Sequence, residues 1–311
     1  MNRCPISYEL CGDNPYAFAG LKRLHKSLTS LKPLPFSAHE QRKEAATRMK
    51  RMSIQGVQPK LSANLNIKES TFEIVNQKGY FIIKPQSDIY TQVPENEDVS
   101  MRMAKAIGIE VPLHGMVYSK DGSLSYFIKR FDRVRRNQKL PVEDLAQLAE
   151  LDRDTKYNFT IEKIIQLIDR FCTFPSIEKI KFFKLVLFSF VIGNEDMHLK
   201  NFSLITRKNK VEFSPAYDLL NSTLAMDGAE EEMALRLAGK KSRFRRRELI
   251  DYLGKERLGL NVGTISQVEK DFQKVLPIWE KLLRSSFLDK ERQVQYLDLI
   301  KERFRRLEWI S

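Results

Sequence analysis

Ile192-Gly-Asn-Glu-Asp-Met-His-Leu-Lys-Asn-Phe-Ser-Leu-Ile205, followed after a basic turn by Phe213-Ser-Pro-Ala-Tyr-Asp-Leu-Leu220, is the stretch from which fold and chemistry are read. An apolar run, 182–192, leads into it, and apolar residues 202–205 lead away. The pattern is a buried helix that ends in a polar loop and continues as a strand, an arrangement that holds reactive groups rigidly. The loop brings an acid, Asp196, an amide, Asn201, and after the turn a second acid, Asp218. Gly193, Asn194, His198 and Lys200 surround them.

Two carboxylates and an amide oxygen, with no cysteine and a single histidine, form a hard oxygen donor set. Such a set suits Mg²⁺ rather than zinc. An acid followed five residues later by Asn, with another acid beyond a strand, turn and strand, is the layout used for phosphoryl transfer. Asp196 then orients or deprotonates the attacking hydroxyl, and Asn201 and Asp218 hold the metal on nucleotide phosphates. Taken alone, D-x-x-x-x-N also describes a surface loop in which both residues merely cap turns. The flanking apolar runs and the second acid favour the site.

Outward from this stretch, the chain changes character near residue 135. Residues 1–135 read as a β-rich N-terminal lobe. Strands are expected over 71–75, 80–83, 111–119 and 124–131, with one helix over 95–107 ended by Gly108. Ser37 and Glu40 form a capping box for a short polar helix. Residues 136–311 read as a larger helical lobe. Its helices are expected over 142–151, 161–171, 177–192, 248–253, 266–285 and 289–306, and 232–239 is expected to pair as a strand. The fold class is α+β with two lobes, and a cleft between lobes is a favoured ligand site.

Three further features of the N-terminal lobe suit a phosphate ligand. Lys84 ends an apolar strand, where its ammonium can pair with a phosphate as a compact point charge. Glu97 on the following helix can hold it, as kinases do, and Glu95 competes for that role. Gly56 lies in a hairpin-like stretch with Gln55, Val57, Gln58 and Lys60, where backbone N–H groups can approach phosphates. Neither a dinucleotide fingerprint nor a Walker loop is present. Lys129, Arg130 and Phe131 close the last strand of the lobe, at the place of an adenine-binding hinge.

The chain has 311 residues, 42% of them hydrophobic, and a formal net charge of +13. This size supports a large domain or two lobes, and the charge points to an anionic partner. Three cysteines, Cys4, Cys11 and Cys172, give no disulfide framework and indicate a reducing compartment. The run 182–192 is too short to span a bilayer. No DNA-reading motif is recognisable. The basic run 240–247 reads equally as a solvated face or as a contact for an acidic or nucleic-acid partner.

Several segments together resemble the HipA-type serine/threonine kinase toxins. They are Ser53-Ile-Gln-Gly-Val-Gln-Pro-Lys60, Phe81-Ile-Ile-Lys-Pro85, Pro94-Glu-Asn-Glu97, Gly108-Ile-Glu-Val-Pro112, Ile128-Lys-Arg-Phe-Asp-Arg133, Leu140-Pro-Val-Glu-Asp144, Gly193–Ser203, Pro215–Leu220 and Met233-Ala-Leu-Arg-Leu-Ala-Gly-Lys240. They occur in the family's order. The resemblance implies a bilobal kinase fold related to the phosphoinositide 3/4-kinases, and an ATP- and Mg²⁺-dependent kinase. It implies that Asp196 is the catalytic acid, Asn201 and Asp218 the metal ligands, and Lys84 the phosphate lysine. His198 and Tyr217 would lie at the nucleotide, residues 55–60 would form a flap over the phosphates, and residues 129–131 the adenine hinge. Ser53 matches the serine whose autophosphorylation ejects the flap and silences the enzyme.

The resemblance further implies an aminoacyl-tRNA synthetase as protein substrate, a bacterial cytoplasmic setting, and a helix-turn-helix antitoxin through which DNA is reached indirectly. Full-length members carry a longer stretch before the flap serine, so the chain looks like the shorter HipT branch of HipBST systems. That branch favours tryptophanyl-tRNA synthetase over the glutamyl enzyme as target, and a separate HipS-like protein acts there as antitoxin beside a HipB-like one. Position 55 is Gln55, so Ser53 is the only flap serine. Export by a non-classical route stays compatible with the sequence. A catalytically weak nucleotide- and antitoxin-binding scaffold is the first alternative. A lipid or small-molecule kinase on the same fold is the second.

Overall fold

Leu61 and Ala63 are buried while Ser62 and Asn64, alternating with them, are not, the two-residue period of a strand with one face in a core. This strand, Leu61–Asn66, lies second in a five-stranded antiparallel sheet. The order runs Thr71–Ile74, Leu61–Asn66, Phe81–Lys84, Leu124–Lys129, His114–Tyr118. Phe81 faces Lys129 and Lys84 faces Tyr126 across the ladder. The computed structural model describes residues 2–49, 59–135, 138–151, 157, 159–226 and 231–311. Its chain divides into two compact units. The first comprises residues 1–99, 112–137 and 285–288, and the second residues 100–111, 138–284 and 289–311.

The first unit packs its sheet on Phe72, Phe81 and Phe127, whose ring centroids lie 5.1 to 6.1 Å apart, together with Cys4, Ile6, Leu28 and Leu31. The expected capping box forms. Glu40 N–H donates to Ser37 Oγ at 3.2 Å and Ser37 N–H to Glu40 Oε2 at 2.7 Å, opening the helix Ala38–Met49. The helix expected over 95–107 runs from Val93 to Ala106, with Gly108 left-handed beyond it at φ +82°.

The second unit is built on Pro175–Ile192, apolar on nearly every side through its last two turns, residues 185–192, and buried there. A helix with no polar face belongs inside a protein. Ile161–Phe171, capped by Thr160, packs on it, as does Lys290–Arg306, capped by Asp289. The helix Val262–Ser285 contributes Trp279, which stands edge-on to Phe188 and donates from its indole to the Met103 carbonyl at 3.0 Å.

Three expectations in this unit change. Residues 142–144 are a strand, pairing antiparallel with Ser203–Ile205, and helix spans only Leu145–Leu148. Asp144 marks the switch: its carboxylate caps Gln147 N–H at 2.9 Å while Gln147 Oε1 accepts from Asp144 N–H at 3.0 Å. Residues 232–239 form no strand, only isolated bridges Thr160 to Arg236 and Leu237 to Lys240. The helix near 248–253 extends from Arg247 to Arg257 and is π-wound. Gly254 lies on Phe183 there, where a Cβ would meet the ring at 3.0 Å.

Candidate active site

The second unit carries the loop 193–203. Its buried helix needs an abrupt, rigid end, and Gly193 supplies one. At φ +72° it is left-handed, Asn194 N–H donates back to Ser189 O at 2.9 Å, and Gly193 N–H to Phe190 O at 3.2 Å. The Gly193 carbonyl then accepts from the N–H groups of Ser222 and Thr223, and Ser222 Oγ accepts from Glu195 N–H at 2.7 Å. These bonds fix the stem from which Asp196 projects, with its side chain 52% exposed.

Asn201 folds back on the same loop. Its Nδ2 donates to the Asp196 carbonyl at 2.9 Å, and its backbone N–H to His198 O at 2.9 Å. With the amide nitrogen committed, the amide oxygen remains as the donor atom for a hard cation. Tyr217 ties the following strand segment to this loop. Its hydroxyl donates to the Lys200 carbonyl at 2.9 Å and lies 2.5 Å from Ser203 Oγ. Burial raises the Tyr217 phenol above its ordinary pKa, so it stays neutral and able to donate. Asp218, next in sequence, sits at φ +55°, a left-handed conformation uncommon for a residue with a side chain. Tyr217 is thus placed as a staple of the loop beside Asp218.

His198 is buried, with Nε2 3.9 Å from Asp196 Oδ1. A residue that the sequence did not mark joins it. The Tyr157 hydroxyl donates to Asp196 Oδ1 at 2.7 Å, and the Tyr157 ring stands edge-on to the His198 ring at 5.2 Å. Nothing in Lys156-Tyr-Asn-Phe159 distinguishes this tyrosine from a surface residue, so no local signal could have found it.

The first unit carries the lysine. Lys84 Nζ donates to both Glu97 oxygens, at 2.7 and 2.9 Å, and lies 5.7 Å from the Tyr126 ring centroid. Between the two acids left open by the sequence, the structure selects Glu97. Glu95 instead accepts from Gln86 Nε2 at 2.7 and 2.9 Å. Burial pushes the Glu95 carboxyl up to about 7, with Asp98 adding to the effect against the Gln86 hydrogen bonds. Asp98 is itself buried, 2.9 Å from His114 Nδ1.

Lys129 and Arg130 use their backbone N–H groups within the unit, on Leu113 O at 2.7 Å and Tyr80 O at 2.8 Å. The Arg130 side chain forks onto Asp132 at 2.9 and 2.8 Å. Phe131 is partly buried beside it. Lys60 is exposed at the foot of strand Leu61–Asn66. Gln55, Gly56, Val57, Gln58 and Ser53 lie outside the described residues.

Among the described residues no three His, Cys, Asp or Glu side chains gather as a metal cage. The basic run 240–247 spends much of its charge internally. Lys240 pairs with Glu248 at 2.7 Å, Lys241 with Glu231 at 2.9 Å, and Arg246 with Glu269. No helix among the described residues is long and apolar enough to cross a membrane.

By fold the chain is a mixed α/β protein of the class of two solved kinase structures. It matches HipA from a Shewanella oneidensis complex of HipA, HipB and operator DNA with a TM-score of 0.69. The identity is 19%, and the match covers 96% of this chain and 80% of that one. It matches the Helicobacter pylori proinflammatory kinase CtkA with a TM-score of 0.55 at 14% identity, over 73% of this chain and 87% of that one. The profile of the HipA-like C-terminal domain fits residues 52–279, and the chain belongs to that family. A Haemophilus influenzae protein, named a kinase by inference, is 30% identical over 249 residues, 72% of each chain. The serine/threonine-protein kinase toxin HipA of Shewanella oneidensis is 28% identical over 206 residues, 60% of this chain and 46% of that protein. The match thus spans about half the length of that toxin.

Proposed function

We propose that the chain is an ATP- and Mg²⁺-dependent serine/threonine protein kinase acting as the toxin of a toxin–antitoxin system. The observation that carries the reading is the tie between Asn201 Nδ2 and the Asp196 carbonyl at 2.9 Å. It joins a solvent-facing carboxylate and an amide oxygen in one rigid loop, the two functions that phosphoryl transfer needs side by side. Asp196 orients the acceptor hydroxyl and takes up its proton. Asn201 and Asp218 hold Mg²⁺, which when bound neutralises phosphate charge. Lys84, kept in place by Glu97, pairs with the nucleotide phosphates. Tyr217 keeps the loop and Asp218 in register, and His198 stands beside Asp196.

Membership of the HipA-like family supports the finer parts of the reading. These are an aminoacyl-tRNA synthetase substrate, with the tryptophanyl enzyme ahead of the glutamyl one, arrest of translation in the bacterial cytoplasm, and silencing by phosphate on Ser53. The Shewanella HipA is solved with HipB and operator DNA, which supports a DNA-binding antitoxin for this chain, with a HipS-like protein as the second partner of a HipT-type toxin.

The test supplies labelled ATP and cell lysate to the wild-type chain and to Asp196→Asn. The expected result is label in protein with the wild type alone, and phosphoproteomics after brief induction should find one enriched site in a tRNA synthetase. A labelled lipid or metabolite in place of protein would show a small-molecule kinase. Undiminished growth arrest by Asp196→Asn would show a scaffold.

A further inference from the structure

Asp196 already holds a hydroxyl. Tyr157 Oη donates to Asp196 Oδ1 at 2.7 Å, and the Tyr157 ring packs edge-on against His198 with the planes at 83°. The phenol is therefore fixed both by its oxygen and by its ring. The Asp196 side chain is 52% exposed and Tyr157 39% exposed. His198 Nε2 lies 3.9 Å from the same carboxylate oxygen.

A hydroxyl donating to the carboxylate that takes the acceptor proton stands where an acceptor stands. We infer that Tyr157 is an intramolecular phosphoryl acceptor, a self-modification site distinct from Ser53. The inference rests on the reading of Asp196 as the base of a nucleotide-dependent kinase. In the step, Tyr157 Oη forms a bond to the terminal phosphorus of a nucleoside triphosphate as the bond from that phosphorus to the bridging oxygen breaks. The diphosphate leaves with the bonding pair, and the phenolic proton passes to Asp196.

The phenol arrives protonated, because burial and the hydrogen bond to Asp196 hold its pKa above the ordinary value. It therefore needs a base, and the base is the group it already touches. The product is a phosphate dianion next to a carboxylate. Like-charge repulsion drives the two apart, so each chain is modified once and Asp196 is then free for other acceptors.

The test treats the full chain with phosphatase, removes the phosphatase, adds Mg²⁺ and ATP, and locates phosphate by peptide mass spectrometry. Phosphate is expected on Tyr157 of the wild type and absent from Asp196→Asn, at a rate independent of protein concentration. The assigned peptide signal is lost in Tyr157→Phe, which keeps the ring against His198. Asp196-dependent phosphate on other residues or on added protein, with Tyr157 bare, overturns this inference and leaves the kinase reading standing. Label on Tyr157 of Asp196→Asn chains mixed with wild type overturns the intramolecular step. Absence of any transfer from ATP by the wild type removes the kinase reading and this inference together.

Discussion

Lys84 Nζ lies 2.7 Å from one Glu97 carboxylate oxygen and 2.9 Å from the other, with the two side chains 7% and 0% exposed. A buried pair of this kind adds little net stability, because desolvation offsets the attraction, but removal of one partner takes from the other the counter-charge nearest to it. Glu97→Gln should therefore lower unfolding stability by about 3 kcal/mol or more. Lys84→Met combined with Glu97→Leu should cost clearly less than Glu97→Gln alone. Urea denaturation of the three chains checks this, and equal losses in single and double variants would contradict it.

Glu95 gives a pH signature. Its carboxyl is raised from the ordinary 4.5 to about 7 by burial, with Asp98 adding to the rise. The folded chain thus binds this proton more tightly than the unfolded chain. The contribution to stability is complete below 4.5 and is lost as pH rises towards 7. Glu95→Gln keeps an oxygen for Gln86 Nε2 and cannot ionise. Its melting temperature should gain on the wild type as pH climbs through that window, and parallel melting curves would contradict the assignment.

Gly193 is predicted to reject any side chain. At φ +72° an alanine is strained, and its Cβ would meet Leu299 Cδ2 at 2.6 Å, Thr223 Oγ1 at 2.8 Å and Asn221 Oδ1 at 2.9 Å. Left-handed strain of about 1–2 kcal/mol adds to overpacking of about 1–3 kcal/mol. Gly193→Ala should therefore show a urea midpoint well below the wild type with an unchanged slope.

How much of this could be read from the sequence depended on the range of the interaction involved. Asp196 and Asn201 were legible because the tie between them closes within one short loop. Ser37 and Glu40 were legible for the same reason. The choice of Glu97 over Glu95 was not, because the two acids lie two residues apart near the start of one helix and are both buried, and only the partner each one reaches tells them apart: Glu97 reaches Lys84 while Glu95 reaches Gln86. Residues 142–144 read as helix because Val, Glu and Asp tolerate either state. Their strand is imposed by pairing with Ser203–Ile205, a partner far along the chain. Tyr157 was invisible because its meaning lies wholly in Asp196 and His198, to which no local pattern connects it.

Asn201 should be separable from Asp196 by metal dependence. In the proposed chemistry its amide oxygen is a Mg²⁺ ligand, while its Nδ2 fixes the loop through the Asp196 carbonyl. Asn201→Ala removes both, so the Mg²⁺ concentration for half-maximal phosphate transfer should rise by about tenfold or more. A Mg²⁺ titration at saturating ATP reads this directly. An unchanged midpoint with reduced maximal rate would assign Asn201 to loop geometry alone.

The acid limit of the fold should be set in large part by Glu232. Burial alone would raise its carboxyl, yet hydrogen bonds from Arg306 at 2.7 and 2.9 Å, from Phe244 N–H at 3.0 Å and the Arg303 contact at 2.7 Å outweigh it and hold the group at about 2. Both guanidiniums also lie over the Phe190 ring, at 4.7 and 5.3 Å from its centroid, so the carboxylate holds two like charges together on the buried helix. A depressed folded pKa stabilises the chain above the ordinary 4.5 and loses that contribution as pH falls from there towards 2. Glu232→Gln takes from Arg303, 6% exposed, its 2.7 Å carboxylate and leaves it the Glu302 carboxylate at 3.3 Å, and should cost up to about 3 kcal/mol at neutral pH. Because the variant has no carboxyl to protonate, its melting temperature should fall less steeply than that of the wild type on acidification through the same window. Arg306→Lys should give an intermediate cost, since an ammonium cannot reproduce the fork onto Glu232 and the Nε bond to the Phe244 carbonyl at 2.9 Å. Melting curves for the three chains between neutral pH and the acid limit decide the point, and identical acid slopes for wild type and Glu232→Gln would remove Glu232 from control of that limit.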